Sequence, residues 1–345
     1  MLQPGLLTTV QDLGRFGYGG IGMPTAGVMD AYAARIGNIL AGNAENAAVL
    51  EITLLGPVLE FHRETDIVIS GADMRPCLNQ RPVDMGRVLP VTSGDRLSFA
   101  GLLEGCRTYL AVAGGFDVPA VMGSASTYVR GQIGGHKGRA LQAGDSLMIG
   151  RATGHSGRGF RLPADMLTAS GATVRVILGP QDNAFTQKGV DTLLGSEYVV
   201  AQDSDRMGYR LAGPAIELRD SADIISDGIA LGAVQVPAHG QPIIMLADHQ
   251  TTGGYAKIAH VISVDIPIVA QKKPGDILRF AAVSVQTAQQ LYRERERRIA
   301  RLKDDIQALI QAAHGATMTT YTLNINGRQY HARVEELTQY KKGSL

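Results

Sequence analysis

One pattern occurs twice in this chain and limits its fold more than any other feature. Gly56-Pro57-Val58-Leu59-Glu60 returns as Gly213-Pro214-Ala215-Ile216-Glu217. Asp66-Ile67-Val68-Ile69-Ser70-Gly71 follows the first copy, and Asp223-Ile224-Ile225-Ser226-Asp227-Gly228 follows the second. In each copy the two glycines lie 15 apart, 56 to 71 and 213 to 228. Each copy then reaches a strand opened by a Gly-Asp turn: Gly94-Asp95 before Arg96–Phe99, and Gly275-Asp276 before Ile277–Phe280. A third such turn, Gly144-Asp145, precedes Ser146–Ile149. Upstream, strand-like starts (Leu6 to Gln11 and Val174 to Leu178) lead into helical stretches. These are Asp30 to Leu40 and Asn183 to Leu194, with Asp30 and Asn183 placed as caps. Recurrence of both order and spacing predicts two β-rich halves of related plan.

The halves are expected over 1–150 and 172–283, joined by a Gly-, Arg- and Ser-rich linker over 151–171. They differ in one respect. Gly71 to Gly94 spans 23 residues, whereas Gly228 to Gly275 spans 47, so the second half carries about 24 extra residues around Asp248–Lys257. Beyond them, Ile299, Leu302, Ile306, Leu309 and Ala313 mark one face of an amphipathic helix over 284–315. Arg293 to Arg298 alternates in charge and reads as a solvated face, or more sharply as an interaction surface. A hairpin appendage around Asn326-Gly327 is expected over 316–345.

Several function classes fall away. Lys plus Arg number 33 against 32 Asp plus Glu, so neither nucleic acid nor an anionic membrane is an expected partner. No apolar run reaches the length of a membrane span, no secretory leader is recognisable, and two cysteines, Cys77 and Cys106, suit a reducing cytoplasm. The chain shows no Gly-x-x-x-x-Gly-Lys-Ser/Thr loop, no Gly-x-Gly-x-x-Gly and no Gly-x-Ser-x-Gly. Its eight His show no metal-ligand spacing, so no metal is expected.

Polar clusters flanked by glycine remain as candidate sites: Thr8–Arg15, Gly22–Asp30, Gln202–Arg210 and the insertion with Gln250, Thr251, Thr252 and Lys257. Each also has a bland reading. Asp12 can pair with Arg15 in a turn, Asp30 can simply cap a helix, and Asp205-Arg206 can be a solvated turn. A fifth loop, Gly123–Gly135 with Arg130, can cradle an anion or merely turn.

At these clusters the chain resembles a known family. Pro4–Arg15, Leu50-Glu51-Ile52-Thr53, Ser70-Gly71-Ala72-Asp73, Gly179-Pro180-Gln181-Asp182, Ser204–Arg210, Ser226-Asp227-Gly228 and Asp248–Tyr255 carry the likeness, in order. The family is that of the C-type 5-oxoprolinase subunits and the biotin-dependent carboxyltransferase part of urea carboxylase. The resemblance implies a mainly β fold with some α: two cyclophilin-like β-barrel domains plus the C-terminal helix and hairpin. It also implies B-like and A-like 5-oxoprolinase subunits as partners, with which ATP drives the opening of a lactam to glutamate. Neither ATP nor any other cofactor has a recognisable site in this chain. Two alternatives come with the family. One is transfer of a carboxyl group from carboxybiotin, supplied in trans by a biotin carboxylase and carrier, to urea, guanidine or a related amide. The other is non-catalytic sequestration of a kinase inhibitor. The tail from Thr319 resembles the first hairpin of a biotin carrier but holds no Ala-Met-Lys-Met.

Both reactions act on a planar C(=O)–N unit, which needs a donor at oxygen and an acceptor at N–H. The expected catalytic set is Asp205, Arg206, Gln250 and Lys257. The expected substrate-binding set is Gln235, Thr251, Thr252, Ser226, Asp227 and Arg130, with Asp12 and Asp30 contributing from the first half.

Overall fold

The computed structural model describes residues 1–315, 318–325 and 328–335. The first half is built on a five-stranded antiparallel sheet. Its order is Leu7–Gln11, Val49–Thr53, Glu104–Val112, Thr65–Asp73, Val88–Val91. Strand alternation sends Val68, Tyr109 and Ala111 to one face and Ile67, Ile69 and Leu110 to the other. On the first face lies helix α1 (Ala31–Leu40), which presents Ile36 and Leu40. A four-stranded sheet covers the second face, in the order Leu59–Glu60, Arg96–Phe99, Pro76–Leu78, Arg81–Pro82. Asp30 caps α1 as expected, accepting from the Ala33 amide at 2.9 Å.

The second half closes into a seven-stranded barrel. Its order is Thr173–Leu178, Lys257–Val261, Ala233–Gln235, Ile243–Met245, Gly208–Ala212, Glu197–Val200, Ile277–Ala282. A parallel pairing of Thr173–Val176 with Arg279–Ala282 shuts the ring. Val174, Tyr198, Leu211, Val234, Ile258 and Phe280 fill it. The fold is thus mainly β, as expected, although only the second half forms a single closed ring among the described residues.

The repeat diverges at one place. Thr65–Asp73 is a buried inner strand, but its counterpart Asp223–Gly228 lies outside the barrel in a ribbon with Thr252–Tyr255. The extra residues of the second half supply that partner strand. They draw Asp223–Gly228 off the core, leaving Ile225 95% exposed.

The second predicted helix starts later than expected. Asp182–Ala184 forms a 3₁₀ turn, Phe185 is extended and buried, and helix α2 spans Gln187–Gly195. Its cap is Thr186 rather than Asn183, accepting from the Gly189 amide at 3.0 Å. Burying Phe185 in the barrel core requires the extended residue that breaks the helix. A short helix α3, Ile266–Ala270, follows the barrel strand Lys257–Val261.

The amphipathic stripe forms helix α4, Val285–Gly315, and Ile299, Leu302 and Ile306 sink into the core beneath α1. Leu162 and Met166, from the stretch read as a linker, join the same core. The tail strands Met318–Ile325 and Arg328–Glu335 pair antiparallel, while Asn326-Gly327 and residues 336–345 lie outside the described residues. No described helix is long and apolar enough to cross a membrane.

The charged run Arg293–Arg298 is partly an internal contact rather than a solvated face. Glu296 takes a two-point grip from Arg35 of α1, at 2.8 and 2.7 Å. That grip holds the Glu296 carboxyl below its usual range, although burial pushes the other way. A depressed carboxylate adds stability above its unfolded pKa, about 4.3, and loses it as pH falls through the lower folded value. Acidification from about pH 5 should therefore lower the amide protection factors around Glu296 in α4, corrected for the intrinsic pH dependence of exchange, by about two- to fivefold. Arg35→Met should flatten that pH response. An unchanged response in the variant would show that Arg35 does not dock the helix.

Candidate functional site

A buried charge network joins the two halves. Arg206 sits in the turn before the Gly208–Ala212 strand, and its guanidinium is wholly committed. Nε and Nη2 donate to Asp248 at 3.0 and 2.9 Å, Nη2 donates to the Gly27 carbonyl at 2.5 Å, and Nη1 donates to Glu51. Glu51 projects from the inner strand Val49–Thr53, and its other oxygen accepts from the Met29 amide at 2.7 Å and the Tyr109 hydroxyl at 2.9 Å. Arg107 lies 4.0 Å from Glu51 and donates to the Tyr209 hydroxyl and the Ala270 carbonyl, at 2.5 and 2.7 Å. Burial works against the Arg206 charge, but Asp248 and Glu51 outweigh it and raise its pKa. Two cations and two anions thus balance in a largely buried cluster.

Gln271 extends the seam. Its side-chain oxygen accepts from the Cys106 and Arg107 amides at 3.0 and 2.9 Å, and its nitrogen donates to Asp30 at 2.9 Å. Asp30 is fully buried, and desolvation raises its pKa. Its role in the structure is helix cap and tie to Gln271 rather than part of an open site.

Beside the seam opens a cleft of about 790 Å³. It gathers Arg130 from the first half with Asp205, Arg206, Gln235 and Gln250 from the second. Arg130 extends from the loop pinned by the Tyr128–Ile133 bridge, with Nη1 2.6 Å from Met207 Sδ. Among the described residues no carboxylate lies within ion-pair distance of it. Gln235 is buried and donates to the Tyr255 carbonyl at 3.3 Å, whereas Gln250 is exposed. Gly253 lies between these two amides. A Cβ there would stand 3.0 Å from Gln235 Nε2 and 3.5 Å from Gln250 Nε2, so the missing side chain lets both amides converge. Asp205 spends one oxygen on its own turn, accepting from the Met207 and Gly208 amides at 2.8 and 3.2 Å.

The other expected residues lie elsewhere. Lys257 is buried behind the exposed ribbon, with Nζ 3.0 Å from Asp227 and 3.3 Å from the Gly228 carbonyl. That contact holds Asp227 below the usual carboxylate range. Ser226 and Thr252 belong to the two ribbon strands, and the Thr251 carbonyl accepts from the Ile229 amide at 3.0 Å. Asp12 is folded into the first-half loop, accepting from Ser124 Oγ, Ser126 Oγ and the Ala125 amide at 2.6, 2.5 and 2.6 Å. None of these lines the cleft. A larger cavity of about 1220 Å³ lies between the first half, the second half and α4, but its charges largely answer one another. There Arg161 meets Asp84, Arg298 meets Asp165 and Arg175 meets Asp265. Among the described residues no three His, Cys, Asp or Glu side chains group as a metal ion requires.

Sequence reasoning assigned no role to Glu51, Arg107, Asp248 or Gln271. The signal on offer was Glu51 itself, a carboxylate in the apolar run Val49–Thr53, which has to find a buried cation.

The chain as a whole has known relatives. The family model described as carboxyltransferase domain, subdomain A and B, matches residues 21–282. The chain is 41% identical over 288 residues to the C-type subunit of 5-oxoprolinase from Haemophilus influenzae, covering 84% of this chain and 92% of that protein. It is 38% identical to the Escherichia coli C-type subunit of the same name, covering 86% and 95%. Among solved structures, the Kluyveromyces lactis urea carboxylase superposes with a TM-score of 0.80 at 32% identity. That match covers 86% of this chain but 28% of the longer one. The chain therefore belongs to the family of C-type 5-oxoprolinase subunits and biotin-dependent carboxyltransferase domains.

Proposed function

We propose that this chain is the C-type subunit of a cytoplasmic, ATP-dependent 5-oxoprolinase, opening the lactam of 5-oxoproline to glutamate with A-like and B-like partner subunits. The carrying observation is Arg130. It is a cation without a carboxylate in reach among the described residues, and it shares a cleft with two amide side chains. 5-Oxoproline has a carboxylate next to its lactam, whereas urea has none. In this reading Arg130 takes the carboxylate. Gln235 and Gln250 meet the lactam with a donor for its oxygen and an acceptor for its N–H. A donor fixed at that oxygen stabilises the negative charge that grows there as water attacks. The near-complete coverage of the two 5-oxoprolinase relatives supports the same choice. The two free cysteines suit a reducing compartment. ATP would be consumed by the assembly, and no residue of this chain is assigned to it.

The test is a reconstituted assembly assayed for ATP-dependent loss of 5-oxoproline. Arg130→Ala should lower kcat/KM about 10- to 100-fold, the range for losing a hydrogen bond to a charged group. Unchanged kcat/KM would remove Arg130 from substrate binding. The second reading is carboxyl transfer from carboxybiotin to urea or a related amide, and it rests on the likeness to urea carboxylase. An assembly that ignores 5-oxoproline but carboxylates urea when given carboxybiotin would establish it instead.

A further inference from the structure

The first half contains a pocket that the cleft chemistry does not use. It has a volume of about 340 Å³ and shares no lining residue with the cleft. Partly exposed Leu59, Phe116, Leu147 and Ile149 line it, and the buried side chains of Leu50, Phe61, Leu110 and Leu141 back it. Protein interiors are packed close to crystal density, so an apolar space of this size beside a core is exceptional. It falls within the range of natural ligand pockets. We propose that it binds a medium-chain aliphatic monocarboxylate, tail inward and head group at the rim.

Three observations carry this assignment. The lining is largely aliphatic and aromatic, which selects an apolar body. The wall that bears Leu141 and Leu147 is formed in advance. Arg139 grips Asp145 at 2.7 and 2.9 Å, the Gln142 amide donates to Asp145 at 2.7 Å, and the Leu141 amide donates to the Thr8 carbonyl at 2.8 Å. Rim charges give the third. Glu60 is taken by Arg96 at 2.8 Å and Asp145 by Arg139, the Met1 ammonium donates to the Asp145 carbonyl at 2.9 Å, and Arg63 is a rim cation with no carboxylate in reach among the described residues. His62 beside it stands 4.0 Å from Glu60. A single anionic head group complements that rim. At roughly 30 Å³ per heavy atom the space holds about ten of them, the size of octanoate.

The purified full chain is titrated calorimetrically with octanoate, 1-octanol and acetate. Octanoate should saturate at one per chain, and acetate should not bind. Arg63→Ala should weaken octanoate about three- to tenfold and leave 1-octanol unchanged. Leu147→Trp, which fills the space, should abolish both. Absence of saturable octanoate binding overturns the proposal, as does binding that neither variant changes. If Leu147→Trp does not fold, Arg63→Ala decides: equal effects on the acid and the alcohol reject the head-group contact and with it the site.

Discussion

Replacing Arg206 with Met should cost the protein about 3–5 kcal/mol of stability, the range for removing one partner from a buried ion pair. The variant leaves Glu51 and Asp248 facing one another without their shared cation, both inside the protein. Glu51 cannot regain water without parting the two halves, Asp248 only borders the cleft, and Arg107, 4.0 Å from Glu51, already serves Tyr209 and Ala270. For a chain of 345 residues the loss corresponds to roughly 4–7 °C in melting temperature by calorimetry. Replacing all four charges with apolar residues (Glu51→Leu, Arg107→Met, Arg206→Met, Asp248→Leu) should recover part of it, because the penalty lies in the orphaned charges. A loss below about 1 kcal/mol in the single variant would mean that the network is wetter than its burial indicates. Any fall in turnover for Arg206→Met then has to be separated from unfolding, by assaying well below the variant's melting temperature.

The second large effect is expected at Gly134. Its φ of +69° is in the left-handed region, and a Cβ would overlap the Ser126 carbonyl and stand 2.7 Å from Arg15 Nη2. That carbonyl accepts from Arg15 at 2.8 Å, and Arg15 is fully buried, so neither neighbour has room to retreat. Gly134→Ala should destabilise by about 2–4 kcal/mol in urea denaturation, combining backbone strain with overpacking. Gly144→Ala is the control. Its φ is +88°, but a Cβ there meets nothing within 4 Å, so only the conformational cost of about 1–2 kcal/mol applies. Equal losses at both positions would contradict the crowding around Arg15. The same Gly134 loop carries Arg130, so partial function in the variant should show as a raised KM for an anionic substrate.

Much of the fold was legible because local chemistry and global plan agree. The glycine-bounded repeat marked two related β-rich halves. Asp30 announced α1, and the Ile299, Leu302, Ile306 spacing announced the helix that packs beneath it. The α2 start was misread because Phe185 obeys the barrel core rather than local capping. The ribbon was hidden for a related reason: nothing in Asp223–Gly228 says that an inserted strand will compete for it. At the site, sequence named Arg130, Asp205, Arg206, Gln235 and Gln250, which the cleft does bring together. It also grouped Lys257 with them, because adjacency in a glycine-rich stretch cannot tell which side of a barrel wall a side chain takes. Arg206 stood out as a charged residue in a polar turn, but its two carboxylate partners lie 155 and 42 residues away. Long-range pairing of that kind has no local signature.

A hidden rivet between two plates fixes their gape. With Glu51, Asp248 and the Gly27 carbonyl all fastened to one guanidinium, the first and second halves cannot hinge apart without stranding charge in oil-like surroundings. Opening the cleft wider along the seam would therefore mean parting Arg206 from Glu51 and from the Gly27 carbonyl, which ties the aperture to this one side chain.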